Sequence, residues 1–175
     1  MDKVRAQVQT HMHATWSALF RNDFVAAEEA DAKVKALCPE MGGLPSCFRD
    51  RTLTGVEGDA RSFLIGAVWT RNLPMAQFLL RRGAHCDDVY SDGDFRGSAM
   101  SELVRGPVDG TLDKDMLRLF LRDGAADLDA DAGDDHGALS IRTVIQTGLL
   151  SVRASIYREV AEVMTQADPC SLFCW

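Results

Sequence analysis

The stretch SFLIGAVWTRNLPMAQFLLRRGA, residues 62–84, decides the fold. Phe63, Leu64, Ala67 and Val68 fall at spacings of one, three and four, and Met75, Ala76, Leu79 and Leu80 repeat them. Such spacing lines up apolar side chains on one face of a helix, so the segment holds two short amphipathic helices. Between them Asn72 and Leu73 lead into Pro74, which suits a first helical turn because the N–H it lacks would have no partner there. Gly83 closes the second helix, where a residue without a β-carbon enters the left-handed region at no steric cost.

Composition bounds what surrounds this segment. The chain has 175 residues, enough for one domain with a substantial core, and it is 46% hydrophobic and 26% charged, as a soluble globular protein is. No apolar run approaches the roughly 20 residues that span a bilayer, so no membrane partner is expected. The opening MDKVRAQVQTHMH lacks the continuous apolar core of a secretory signal, and the expectation is a cytoplasmic protein. A net charge of −7 argues against a nucleic-acid partner held through phosphates. The cysteines Cys38, Cys47, Cys86, Cys170 and Cys174 are odd in number and irregular in spacing, which fits reduced thiols and no disulfide framework.

The helical pattern recurs on both sides. From Asp2 to about Phe20 the residues Val4, Val8, His11, Thr15 and Leu19 line one face, with Met12 and Trp16 beside it, and this face should be buried. His11 and His13 do not form a metal pair, because residues two apart on a helix point in different directions. After a polar turn at residues 21–23 a second helix carries Phe24, Ala27, Ala30 and Val34. Periodicity then fails through an irregular loop at 38–58, which Phe48, Leu53 and Val56 would pin to the helices. Further on, a short helix from about Ser98 to Val104 is followed, after a long turn, by Asp113 as an N-cap and by the stripe Met116, Leu117, Phe120 and Leu121. Gly124 and Ala125 repeat the Gly-Ala ending of residues 83–84. A last helix begins near Leu149 or Leu150 and reaches about Gln166, and the apolar tail 168–175 either folds back on it or docks elsewhere.

These features resemble the ankyrin repeat family, whose unit runs approximately TPLHLAAxxGxxxxVxxLLxxGA. Ser62, Leu64, Ala67, Val68, Leu79, Leu80, Gly83 and Ala84 fall on its positions, while Phe63, Ile65 and Arg71 replace the proline, the histidine and the inter-helix glycine. DDHGALSIRTVIQTG at 134–148 also tracks the unit, with Asp134, Gly137, Ile141 and Gly148 on key positions and Ser140 at the proline. The resemblance implies an all-α fold, an ankyrin-like stack of antiparallel helix pairs with long irregular finger loops. Its units cover about 2–37, 59–84, 97–125 and 134–167 of a single domain. The two Gly-Ala endings lie further apart than the family's period of about 33 residues, so insertions are expected between them.

What the resemblance implies for function is recognition of a partner protein through finger tips and the concave face of the first helices. Trp69, Thr70 and Arg71 fall on positions that face the concave side in the family, with Arg105 and Gln146 as counterparts. The first finger carries Asp87, Asp88, Tyr90, Asp92, Asp94, Phe95 and Arg96; the second carries Asp129, Asp131, Asp134 and His136 among further aspartates. Ten of the 26 acidic residues lie in or beside these two stretches, enough for a negative edge that steers a partner with a basic surface. Tyr90 and Phe95 would be its anchors, and Trp69 a further one unless the indole packs on the next repeat. Aspartate and glycine also simply make turns, so two readings of this edge stand open, binding surface or solvated loop. A calcium loop beginning at Asp127 would need glycine at Ala132 and glutamate at Ala138, and no metal or other cofactor is expected.

Phosphate-binding loops, nucleophile elbows and zinc-protease motifs are missing, and His136 beside Asp134 and Asp135 has no nucleophile near it in sequence. The expectation is therefore a non-enzymatic interaction module or adaptor. The degeneracy of the repeats suits a protein that an intracellular bacterium or a large DNA virus uses in the host-cell cytoplasm. The alternative is a small acidic inhibitor or immunity-type protein that blocks a basic surface. Salt separates the two, because an inhibitor held by its acidic edge loses association rate steeply with ionic strength.

Overall fold

The computed structural model describes residues 2–39, 43–44, 63–92, 95–105, 113–123, 126, 140, 142–143, 158, 161–163 and 165–166, with 2, 90–92, 95–96 and 105 by backbone alone. Among these the chain is mostly helical. In order it forms α1 (Asp2–Phe20), α2 (Phe24–Leu37), α3 (Phe63–Trp69), α4 (Leu73–Arg81), the strands β1 (Tyr90–Asp92) and β2 (Phe95–Gly97), α5 (Ala99–Arg105) and α6 (Lys114–Asp123). Further helical backbone occurs at 142–143, 158, 161–163 and 165–166.

One turn geometry is used twice. At the end of α1 the N–H of Asn22 donates to Leu19 O at 3.0 Å and that of Asp23 to Ala18 O at 2.9 Å. At the end of α3 Arg71 donates to Val68 O at 3.1 Å and Asn72 to Ala67 O at 2.9 Å. This nested pair of bonds satisfies carbonyls that a helix end leaves open, and it requires a left-handed residue at the first donor. Asn22 and Arg71 supply it with φ of +60° and +52°. The next residue then opens the following helix: Asp23 Oδ1 accepts from Ala26 N–H at 3.2 Å and Asn72 Oδ1 from Met75 N–H at 3.1 Å. α4 ends in the same way, with Gly83 (φ +88°) donating to Leu80 O and Ala84 to Leu79 O. Asp113 caps α6 as the sequence indicates, accepting from Met116 N–H at 2.9 Å.

The paired helices pack through the faces that their spacing marks. Ala27, Ala30 and Val34 of α2, all of Phe63, Leu64, Ile65, Ala67 and Val68 of α3, and Met75, Ala76 and Leu79 of α4 are buried. α1 lies on α2, α3 on α4 and α5 on α6, while α3 also lies against α5 and α4 against α6. Trp16 of α1 meets Phe63 of α3 at 4.4 Å between ring centroids, and Phe24 of α2 stacks on Phe78 of α4 at 4.4 Å and 9°. First helices thus touch first helices and second touch second. On the outer layer Glu28 pairs with Arg82, whose guanidinium lies 5.4 Å from the Phe78 ring centre.

Three expectations need correction, and Ser140 adds a detail. Val4 is 48% exposed although it lies on the apolar stripe of α1, because α1 has 19 residues and α2 only 14, so that α1's first turn extends beyond the helix folded back along it. Leu119 is buried with Met116, Leu117 and Phe120, which makes the apolar face of α6 broader than the spacing alone indicates. Ser140, aligned above with the family's proline, accepts from Thr143 N–H at 3.1 Å, as a capping residue does and a proline could not. The first finger is not irregular throughout: β1 and β2 pair antiparallel, Tyr90 with Gly97, Ser91 with Arg96 and Asp92 with Phe95.

Within the 38–58 loop, residues 43–44 are held to α2. Asp31, which is buried, accepts from Leu44 N–H at 3.1 Å through one oxygen and pairs with Lys35 at 2.7 Å through the other, while Lys35 donates to Leu44 O at 3.2 Å. The expected anchors Phe48, Leu53 and Val56 lie outside the described residues, as does the tail 168–175.

Candidate interaction surface

The first finger projects from a closed base. Past Gly83, Ala84 and Cys86 are buried, and Met100 N–H donates to Cys86 O at 2.9 Å, which joins the chain before the ribbon to the first turn of α5. Ser98 and Ser101 fix that turn reciprocally: Ser101 N–H donates to Ser98 Oγ at 3.1 Å and Ser98 N–H to Ser101 Oγ at 2.8 Å. Both serines are buried, so this exchange satisfies donors that water does not reach.

Asp87 and Asp88 occupy the finger's ascending side. Asp87 is half-buried and receives the Cys86 thiol at 3.7 Å, whereas Asp88 is exposed and its N–H turns back to His85 O at 3.4 Å. Burial, then the adjacent Asp87 carboxylate, pushes the Cys86 thiol far above the ordinary thiol range. A thiol held protonated in this way is a packing group and a poor nucleophile. Tyr90, Asp92, Phe95 and Arg96 form the ribbon, placed by their backbone. Asp129, Asp131, Asp134 and His136 of the second finger lie outside the described residues, together with Gln146.

Trp69 is the last residue of α3, 40% exposed, and its indole N–H donates to Glu102 Oε2 of α5 at 3.0 Å. One edge of the ring is thus fixed to the next helix, as a packing group is, while part of it stays exposed. Arg71 follows two residues on, exposed. α5 is bonded to both regions, through the Met100 N–H to the base of the finger and through Glu102 to Trp69.

Two contributors escaped sequence reasoning. Glu102 is 33 residues from the indole it holds, and nothing local announces such a contact. Phe20, 43% exposed, ends α1 as Trp69 ends α3. The parallel between Ala18-Leu19-Phe20 and Ala67-Val68-Trp69 was its available signal.

Among the described residues no group of three or more His, Cys, Asp or Glu side chains is placed to hold a metal ion, and no helix is long and apolar enough to cross a membrane. No family model matches the chain, and no curated protein or solved structure is significantly similar to it.

Proposed function

We propose that this chain is a non-enzymatic protein-recognition module, an ankyrin-like stack that takes a partner protein through the finger after Gly83 and the side of the stack that presents Trp69, working in a cytoplasm. The observation that supports the reading is the organisation around α5: one helix holds an exposed aromatic ring through Glu102 and closes the base of the finger through the Met100 N–H. Rigid aromatic surface next to a projecting loop is what protein interfaces use as anchors, because little side-chain entropy is lost on contact. The recurrent turn at residues 18–26 and 67–75, with first helices beside first helices, supports the stacked architecture. Asp87 and Asp88 give the finger a negative character suited to a partner with a basic surface.

Affinity capture from lysate with the wild type and with the combined Trp69→Ala, Tyr90→Ala, Phe95→Ala variant tests this. The variant should keep its circular dichroism spectrum and lose the captured partner. A folded variant that retained every partner would refute the surface.

A further inference from the structure

The longest run of the chain without Asp, Glu, Lys or Arg is AQVQTHMHATWSALF, residues 6–20, and it lies in α1. In a chain that is 26% charged, so long a run belongs to a buried element. α1 buries only one side of it. Val8, Met12, Thr15 and Leu19 point into the molecule, whereas Ala6, Thr10, His13, Ser17 and Phe20 are exposed on the opposite side. The exposed five recur at intervals of four and three, which draws them into one seam along the helix, the spacing by which helices pair. Gln7 and Ala14 lie exposed beside it.

The seam is preorganised and self-complementary. The Thr10 hydroxyl donates to Ala6 O at 2.9 Å, so its polar atom is already engaged within the helix. Phe20, 43% exposed, is held by stacking on Trp16 at 5.3 Å between ring centroids. The large ring stands at one end of the seam and Ala6 at the other, with His13 midway. A second α1 laid antiparallel across His13 sets each Phe20 against the partner's Ala6 and each Thr10 against the partner's Ser17. A two-fold contact confronts a patch with itself, so any charge near the axis meets its like. In a chain of net charge −7, the face without acids or bases is the one on which two copies meet without that cost. Depletion of charge is also what marks the centre of protein interfaces.

We propose that the exposed seam of α1 is a self-association face, through which two copies of this chain pair antiparallel about a two-fold axis near His13. A helix segment about 22 Å long covers less than the roughly 1,200 Å² of a standard interface, so the dimer is weak and concentration-dependent. It forms whether or not the finger takes a partner.

Sedimentation of the full chain at about pH 8, between about 5 and 500 μM, tests this. The average mass of the wild type should rise from monomer toward dimer across that range. His13→Glu and His13→Lys each place like charges at the axis and should weaken association at least tenfold. An equimolar mixture of the two should associate at least as well as wild type, which an unfolded variant could not do. Val25→Glu, at a position of α2 that is 69% exposed, should leave the dimer unchanged. A wild type that stays monomeric throughout, association indifferent to the His13 substitutions, no recovery on mixing, or equal loss with Val25→Glu would overturn the inference.

Discussion

Gly66 of α3 lies so close to Trp16 of α1 that a β-carbon on it would stand 2.9 Å from Cζ3 and 3.2 Å from Cη2 of the indole. The glycine is there for the neighbour's ring. Trp16 has little room to retreat, since it stacks on Phe20 on one side and tilts against Phe63 on the other. Gly66→Ala should therefore destabilise the protein by about 1–2 kcal/mol, overpacking outweighing the roughly 1 kcal/mol that alanine gains in a helix. Urea denaturation of the single variant and of Gly66→Ala combined with Trp16→Leu checks this, because in the double variant the alanine should become neutral or favourable.

Arg71 and Asn22 make the opposite case. Arg71→Gly relieves a left-handed arginine and should raise stability by about 1 kcal/mol, and Asn22→Gly by less, because asparagine tolerates that region better. Arg71→Val should lower stability, as a β-branched side chain is least suited to positive φ. Thermal melts of the three variants would show this order.

Asp31 joins α2 to residues 43–44, and its loss should be felt through the groups it leaves behind. Asp31→Ala strands the Leu44 N–H, while the half-exposed Lys35 ammonium keeps Leu44 O and water, for a loss of about 1–3 kcal/mol. Asp31→Asn keeps an acceptor for the amide and should lose about half as much. Gly43→Ala should be similarly severe, since its φ is +134° and a β-carbon there would meet Asp31 Oδ1 at 2.1 Å. Equilibrium unfolding in guanidinium measures all three.

Cys86 gives stability a pH dependence of defined sign. Burial and the Asp87 carboxylate raise its folded pKa, so above the ordinary thiol pKa of about 8.5 the unfolded chain releases a proton that the folded one keeps. The contribution is complete below that pH and falls by up to about 1.4 kcal/mol per unit above it. Between pH 9 and 11 wild type should lose stability faster than Cys86→Ala. Parallel slopes for the two would show that the thiol ionises normally in the folded protein.

What the sequence revealed and what it withheld have a common physical origin. α1, α3, α4 and α6 were readable because their buried faces recur at three and four residues, and Gly83 and Asp113 because their backbone roles select those residue types. Arg71 and Asn22 concealed their left-handed backbone, since nothing in an arginine's chemistry announces positive φ. Asp31 beside Lys35 reads in sequence as an ordinary exposed ion pair; the Leu44 N–H, thirteen positions away, is what the sequence does not announce in its burial. The ribbon had a local sign in Gly93 and Asp94, two residues between short extended runs, but runs of three residues carry too little alternation to be distinguished from a loop. At the candidate surface Trp69 and Arg71 stood out as departures from a pattern, whereas Glu102 and Phe20 gained their roles from tertiary neighbours.

The double duty of Asp23 and Asn72 limits how such a chain can change length. Each takes part in ending one helix and begins the next, so three residues separate α1 from α2 and α3 from α4 with none to spare. An insertion there would destroy two helix ends at once, whereas the spacing from Asn72 to Asp113 already differs from that between Asp23 and Asn72. Growth, grafted loops and reporter peptides therefore belong between pairs. Within the first two pairs the register is closed to them.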